Sequence, residues 1–411
     1  MNNILEKGSG HLSSLSSSGW NLLKEQVSFP IAVINERSLV DNAKWMQAFS
    51  ERAGVKLAPH GKTTMTPELF KLQLAHGCWG ISLATVPQVI NAYKNGIKKI
   101  ILANQLVGRF HFELIADLLT ANDAEFYCFV DSIENVVSLG EYFLARKVKL
   151  NVLIELGVPA GRCGWRDLSL IDELVAAISS YKSLQLCGVS FYEGVIHGEM
   201  AEQAITKYIG DVKSITERLR KNNDFTTQDI IITGAGSAWY DVVSKELTSD
   251  QANELASYSM IIRPGCYLIH DTGIYQEAQN NVLARSQLAC DISGQLTSCL
   301  ELWAYVHSTP EKELAIIGLG KRDVAFDAGL PTPEYVYRPG DKELHKLSSA
   351  NELIKIMDQH CMMKLDSDLV LKPGDIIVFS SSHPCLTIDK WRYLAIRNDK
   401  YIVEKTLATL F

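Results

Sequence analysis

A (β/α)8 barrel followed by a smaller β-rich domain is the fold class that this 411-residue sequence predicts. Three observations point to it. Apolar runs of strand length alternate with amphipathic segments of helix length from about residue 55 to residue 262. Those runs are nearly continuous, as in strands buried on both faces of a parallel sheet. Beyond about residue 280 long helices give way to short strands separated by turn signals. A doubly wound open sheet is the alternative, but no Gly-x-Gly-x-x-Gly follows the first strand.

Residues 1–28 combine a Gly/Ser segment, Gly8 to Gly19, with helix-compatible sequence around Trp20 to Glu25. They read as a leader packing on the β-rich domain. Phe29 to Ile34 reads as a short buried strand, and a helix follows Asn35 from about Ser38 to Ala53. Strands are then expected at 55–58, 79–83, 99–103, 125–130, 150–155, 184–190, 230–233 and 260–262. Helices are expected at 66–76, 86–95, 111–121, 133–147, 168–181, 200–221 and 249–257. Eight βα units of this size fit a barrel domain at 29–279. The β-rich domain, 280–411, has candidate strands at 288–292, 301–307, 314–318, 361–365 and 375–380. Turns at Arg338-Pro339-Gly340 and Lys372-Pro373-Gly374-Asp375 separate some of them.

Composition narrows the function classes. The chain is 47% hydrophobic and 21% charged, as in ordinary globular proteins. A net charge of −7 with no basic stripe argues against a nucleic-acid partner. The nine cysteines are scattered without CxxC spacing, which fits a reduced cytoplasmic protein better than a disulfide framework. The N-terminus lacks signal-peptide character, and no stretch approaches the roughly 18 apolar residues of a membrane span.

In a parallel barrel, reactive groups sit where strands end. The first strand end carries Pro59-His60-Gly61-Lys62-Thr63, a lysine held at the mouth and poised to form an imine. Later ends carry Arg162 in Gly161-Arg162-Cys163-Gly164 and Tyr192 in Tyr192-Glu193-Gly194. The last two carry Thr233-Gly234-Ala235-Gly236-Ser237 and Arg263-Pro264-Gly265-Cys266-Tyr267. Backbone amides in such Gly-rich turns approach a phosphate closely. With an imine-forming lysine they point to pyridoxal phosphate. Arg162 is the candidate partner for its ring or phenolic oxygen. In the second domain, Ser382-His383-Pro384-Cys385 offers an imidazole and a thiolate two residues apart, preferred zinc ligands that leave positions open. His360 is a weaker third candidate.

These motifs resemble those of the fold-type III pyridoxal-phosphate enzymes, more narrowly the D-serine dehydratase and D-threonine aldolase family related to alanine racemase. The likeness runs from Pro59-His60-Gly61-Lys62-Thr63 through the four later strand ends and Asp327-Ala328-Gly329 to His383-Pro384-Cys385. It spans roughly residues 29 to 395 in the family's order. The resemblance implies a homodimer whose sites the partner completes, with Lys62 as Schiff-base lysine. It implies cofactor contacts from Arg162, Tyr192, Thr233, Gly265 and Cys266. His383 and Cys385 would be the metal ligands, and His-x-Cys rather than His-x-Asp favours dehydratase over aldolase. The small-molecule substrate implied is D-serine or another β-hydroxy D-amino acid. Two departures concern the substrate side: Tyr192-Glu193-Gly194 differs from the family's usual context, and the segment from Thr233 to Gly265 is long. Gly318 through Pro333 resembles a bacterial subgroup of amino-acid deaminases. A non-catalytic pyridoxal-phosphate carrier is the reading from another class; the β-rich domain and its His-x-Cys element weigh against it.

Overall fold

The computed structural model describes residues 6–10, 18–249 and 258–411. Eight parallel strands form one sheet: Lys56–Leu57, Ile81–Leu83, Lys99–Gln105, Glu125–Val130, Leu150–Leu156, Leu184–Phe191, Ile230–Gly234 and Tyr258–Ile262. Each pairs with its sequence neighbour, and the last pairs with the first. The remaining gap, between the first two, is bridged at His60 and Ser82. There the Trp79 amide donates to the Leu57 carbonyl at 2.7 Å and that of Ser82 to the Pro59 carbonyl at 2.9 Å. The sheet is a closed barrel.

The continuous apolar runs follow from that closure, because each strand has two buried faces. In Glu125–Val130, Tyr127 and Phe129 enter the inner cluster with Ala58, Ile101, Leu153, Cys187, Ile231 and Ile261. Phe126, Cys128 and Val130, pointing the other way, join the large cluster shared with the surrounding helices. Helices return the chain between strands, several opened by side-chain caps such as Thr85 and Ser132.

An eleven-stranded, mostly antiparallel sheet makes the second body. Its centre is the long strand Leu300–Glu311, flanked by Ile31–Asn35 and Ile376–Ser380. Ile31–Asn35 therefore lies outside the barrel, although it precedes every barrel strand; the ring is already filled by the eight that follow. It also pairs in parallel with Tyr393–Arg397. Trp20–Asn21 of the leader adds an edge strand beside Ile402–Ala408. Leu288–Ile292, expected as a strand, contains a short helix instead, Gln287–Cys290, capped by Ser286. The helices Tyr240–Thr248 and Ile274–Arg285 were not legible; in the latter only Gln279 and Val282 are buried, so it carries little periodicity. The helix expected at 249–257 lies outside the described residues except for Ser249. No helix among the described residues is long and apolar enough to cross a membrane.

The helix Glu36–Arg52 ties the two bodies together, starting in the β sheet and packing under the barrel. Its Asn42 is fully buried. The side-chain amide donates to the carbonyls of Leu268 at 3.0 Å and Thr297 at 2.7 Å, and its oxygen accepts from the Thr297 amide at 2.9 Å. Asn42→Ala would leave three buried backbone groups unpaired. We expect urea denaturation to report a loss of about 3 kcal/mol or more; a loss below about 1 kcal/mol would show that this tie is dispensable.

Candidate active site

Pro59 stops the first barrel strand, and the turn Gly61–Thr63 follows, with His60 in extended backbone before it. A side chain at position 61 would strike the Phe70 ring at 2.7 Å, so glycine alone lets the turn sit this low. Lys62 leaves the turn into a cavity of about 520 Å³ at the barrel mouth. No hydrogen bond or ion pair among the described residues holds its Nζ.

Other strand ends close around it. Arg162 reaches the wall from its loop, guanidinium 4.6 Å above the Tyr192 ring. That loop is tight: Gly164 has φ +107°, and a Cβ there would meet the Gly157 backbone at 2.6 Å. Gly265 and Cys266 line the opposite wall with Ser237. Thr233 does not reach the cavity. It is fully buried behind the wall, where its Oγ1 accepts from Arg263 Nη1 at 2.9 Å and donates to the Ile261 carbonyl. Arg263 lines the cavity in its place, held also by Ser190 Oγ and the Phe191 carbonyl. Burial draws its pKa down to about 10, so it remains a cation at neutral pH.

One Gly-rich turn is already engaged. The amides of Ala235 and Gly236 donate to the Glu193 carboxylate at 3.1 and 2.7 Å. Glu193 follows Tyr192, and burial pushes its carboxyl above the usual range. The expected phosphate cradle thus narrows to Ser237 and the Gly265–Cys266 turn, whose Cys266 amide donates to Ser237 Oγ at 3.4 Å. His60 Nδ1 is buried without a partner on the same wall. Burial, then the charges of Lys62, Arg263 and Arg162, hold this imidazole neutral. An orphaned nitrogen, a free lysine and two arginines around one hollow fit an anionic, aldehyde-bearing cofactor.

The β domain closes the cavity. His383 and Cys385 both line it, from a turn that ends in the short helix Cys385–Ile388. His383 Nδ1 lies 2.8 Å from Asp327 Oδ2, the carboxylate–imidazole arrangement that orients a metal-bound histidine. The Cys385 thiol touches Cys266 Sγ at 3.5 Å and Thr63 Oγ1 at 3.4 Å. The contact with Cys266, then that with His383, pulls the Cys385 thiol towards thiolate. Donating to that sulfur, and to Asp327, in turn raises the His383 imidazole. This donor set suits zinc. His360 meets His307 edge-to-face instead, 5.7 Å between ring centres, and does not line the cavity. Tyr275, Leu386, Asp389 and Phe411 complete the wall. None stands at a barrel-strand end, so no strand-end reading could have found them. A second donor cluster, Asp131, Glu155 and Cys163, has its ligand atoms within 4.8 Å of one another. Asp131 and Glu155 already accept from Gly164 N and Gln105 Nε2.

A match to the alanine racemase N-terminal domain covers residues 34–268, more than half of the chain. The chain belongs to the alanine racemase N-terminal domain family. A putative serine dehydratase domain matches residues 299–397. It is a fold-type III pyridoxal-phosphate enzyme. Among similar proteins, D-threonine aldolase of Arthrobacter sp is 27% identical over 234 residues, 56% of this chain but only 61% of the aldolase. The 3-hydroxy-D-aspartate aldolase of Paracoccus denitrificans strain Pd 1222 is 22% identical over 92% of this chain and 90% of its own. Two solved structures share the fold throughout. D-threonine aldolase from Filomicrobium marinum has a TM-score of 0.76 at 21% identity, covering 96% of this chain and 98% of its own. D-threo-3-hydroxyaspartate dehydratase from Delftia sp. HT23 has 0.73 at 18%, covering 95% and 99%.

Within this family member the buried hydroxyl of Thr233 has a positioning role. Thr233→Val would remove one of the three hydrogen bonds that hold Arg263 and is expected to weaken cofactor binding by about 10-fold or more, whereas Thr233→Ser retains it. Cofactor titration followed by absorbance reads both; equal affinities would remove the hydroxyl from the account.

Proposed function

We propose that this protein is a pyridoxal-phosphate- and zinc-dependent lyase that removes water from D-serine or another β-hydroxy D-amino acid. The observation that carries this reading is one cavity with Lys62 on its barrel wall and His383 with Cys385 on its β-domain wall. Names of relatives support the coarser class, D-amino-acid lyases. A cysteine mutant of the related dehydratase, solved in a metal-free form, supports a metal on the Cys385 side.

Pyridoxal phosphate, when bound, supplies the electron sink for charge developing at Cα. Lys62 is the amine for its aldehyde; Ser237 and the Gly265–Cys266 turn would hold its phosphate, with Arg162 on Tyr192 at its edge. Zinc on His383 and Cys385 would supply Lewis acidity.

The chain's own groups do the rest. Lys62 Nζ, freed when substrate enters, takes the α-proton from the face it occupies. Arg263 and Arg162 are fixed positive charges for the substrate's and cofactor's anionic groups. Asp327 orients the His383 ring so that the β-hydroxyl leaves towards the β-domain wall. Hydrolysis of the released enamine yields a 2-oxo acid and ammonia.

Retro-aldol cleavage to glycine and an aldehyde is the second reading. Two relatives carry aldolase names. A homodimer belongs to the same proposal, to be read as a two-chain mass by light scattering.

The test uses purified enzyme, D-serine and D-threonine, with product analysis. Dehydration yields 2-oxo acid and ammonia and stops on chelation; glycine with an aldehyde moves the assignment to the aldolase; no turnover of either substrate moves it to another β-hydroxy D-amino acid, and no turnover of any such substrate overturns the lyase. Lys62→Ala is expected to lower turnover by about 10³-fold or more. Cys385→Ala is expected to lose zinc, by metal analysis, while the cofactor absorbance stays. Retention of zinc by Cys385→Ala would remove Cys385 as a ligand, and full activity of that variant after chelation would remove the metal role.

A further inference from the structure

The contact between Cys266 and Cys385 has a chemistry of its own. The two sulfurs are 3.5 Å apart across the junction of the two bodies, 119 residues apart in sequence. Each opens a short helical turn, Cys266–Leu268 after the last barrel strand and Cys385–Ile388 in the β domain. The Thr63 hydroxyl touches both, at 3.7 Å from Cys266 Sγ and 3.4 Å from Cys385 Sγ. Both residues line the cavity, so a small solute entering it meets both thiols. Other thiols point elsewhere: Cys128, Cys290 and Cys299 contact the carbonyls of Asn151, Leu283 and Leu268.

We propose that Cys266 and Cys385 form a peroxide-oxidised dithiol whose disulfide staples the barrel to the β domain. The Cys385 sulfur attacks hydrogen peroxide; an S–O bond forms, the O–O bond breaks and water leaves, giving a sulfenic acid. The Cys266 sulfur then attacks Cys385; the S–S bond forms, the S–O bond breaks and a second water leaves. Two thiols are oxidised and one peroxide is reduced to two waters. Closing the gap from 3.5 Å to the bond length of about 2.05 Å requires side-chain rotation within a contact already made. Because Cys385 is also a proposed zinc donor, the disulfide and the metal exclude one another; that consequence rests on the zinc reading, whereas the crosslink does not.

The experiment treats the full-length, chelator-stripped protein with hydrogen peroxide and follows thiol titration and non-reducing peptide mapping by mass spectrometry. Two of the nine thiols are expected to disappear, with a linked peptide pair containing Cys266 and Cys385 that dithiothreitol separates. In Cys266→Ser the linked pair is absent and Cys385 is found as sulfenic or sulfinic acid. Zinc added before peroxide is expected to slow the loss of both thiols by about 10-fold or more. Crosslinking without protection by zinc supports the dithiol and removes the metal from Cys385. Peroxide-treated protein in which Cys385 is over-oxidised with Cys266 free, or in which both remain thiols, overturns the proposal.

Discussion

Everything in this site depends on the segment Ser381–Ile388 being pressed against the barrel mouth. The barrel alone would leave Lys62 in an open bowl, and the β domain alone would hold His383 and Cys385 on a bare surface. The seam is made of short polar contacts. The Thr272 amide donates across it to the Ser381 carbonyl and the Thr272 hydroxyl meets Ser380 Oγ at 2.6 Å, while within the β domain Thr387 Oγ1 accepts from the Ala325 amide and meets Ser381 Oγ at 2.7 Å. Gly273 lets the backbone of Ser382 come close; a Cβ there would stand 2.9 Å from the Ser382 carbonyl oxygen. A shift of about 1 Å along this seam would separate the two halves of the chemistry, and positioning errors of that size are costly in catalysis.

Charge divides the cavity along the same line. The barrel wall holds the cations Lys62, Arg162 and Arg263 beside a histidine kept neutral by burial and by those charges. Glu155 and Glu193 stand behind them, the second already saturated by backbone amides. The β-domain wall offers soft donors and apolar groups, among them Leu386 and Phe411. The proposed reaction would set an anionic cofactor and an amino-acid carboxylate on the first wall, and a substrate side chain with its leaving group on the second.

Much of this was legible in the sequence, for a physical reason. Strands buried on two faces leave unbroken apolar runs, and the residue after such a run faces the barrel mouth, so Lys62, Arg162, Tyr192 and Gly265 could be named from strand ends. Thr233 shows the limit of that rule: it closes its strand but turns behind the wall, supporting Arg263. Period alone does not say which side of the last residue meets the cavity. Nor could it show that the Ala235 and Gly236 amides are taken by Glu193, since that contact spans 43 residues. Tyr275, Leu386 and Phe411 come from segments that carry no strand signal. The strand Ile31–Asn35 reads like a barrel strand because it too is buried on both faces, and its partners are a hundred or more residues away.

The measurement that tests the central claim most directly is anomalous diffraction at the zinc edge from crystals grown with pyridoxal phosphate and zinc. The account predicts a peak bound by His383 and Cys385, with cofactor density joined to Lys62 in the same cavity. A peak at Asp131, Glu155 and Cys163 instead, or cofactor density away from Lys62, would contradict it.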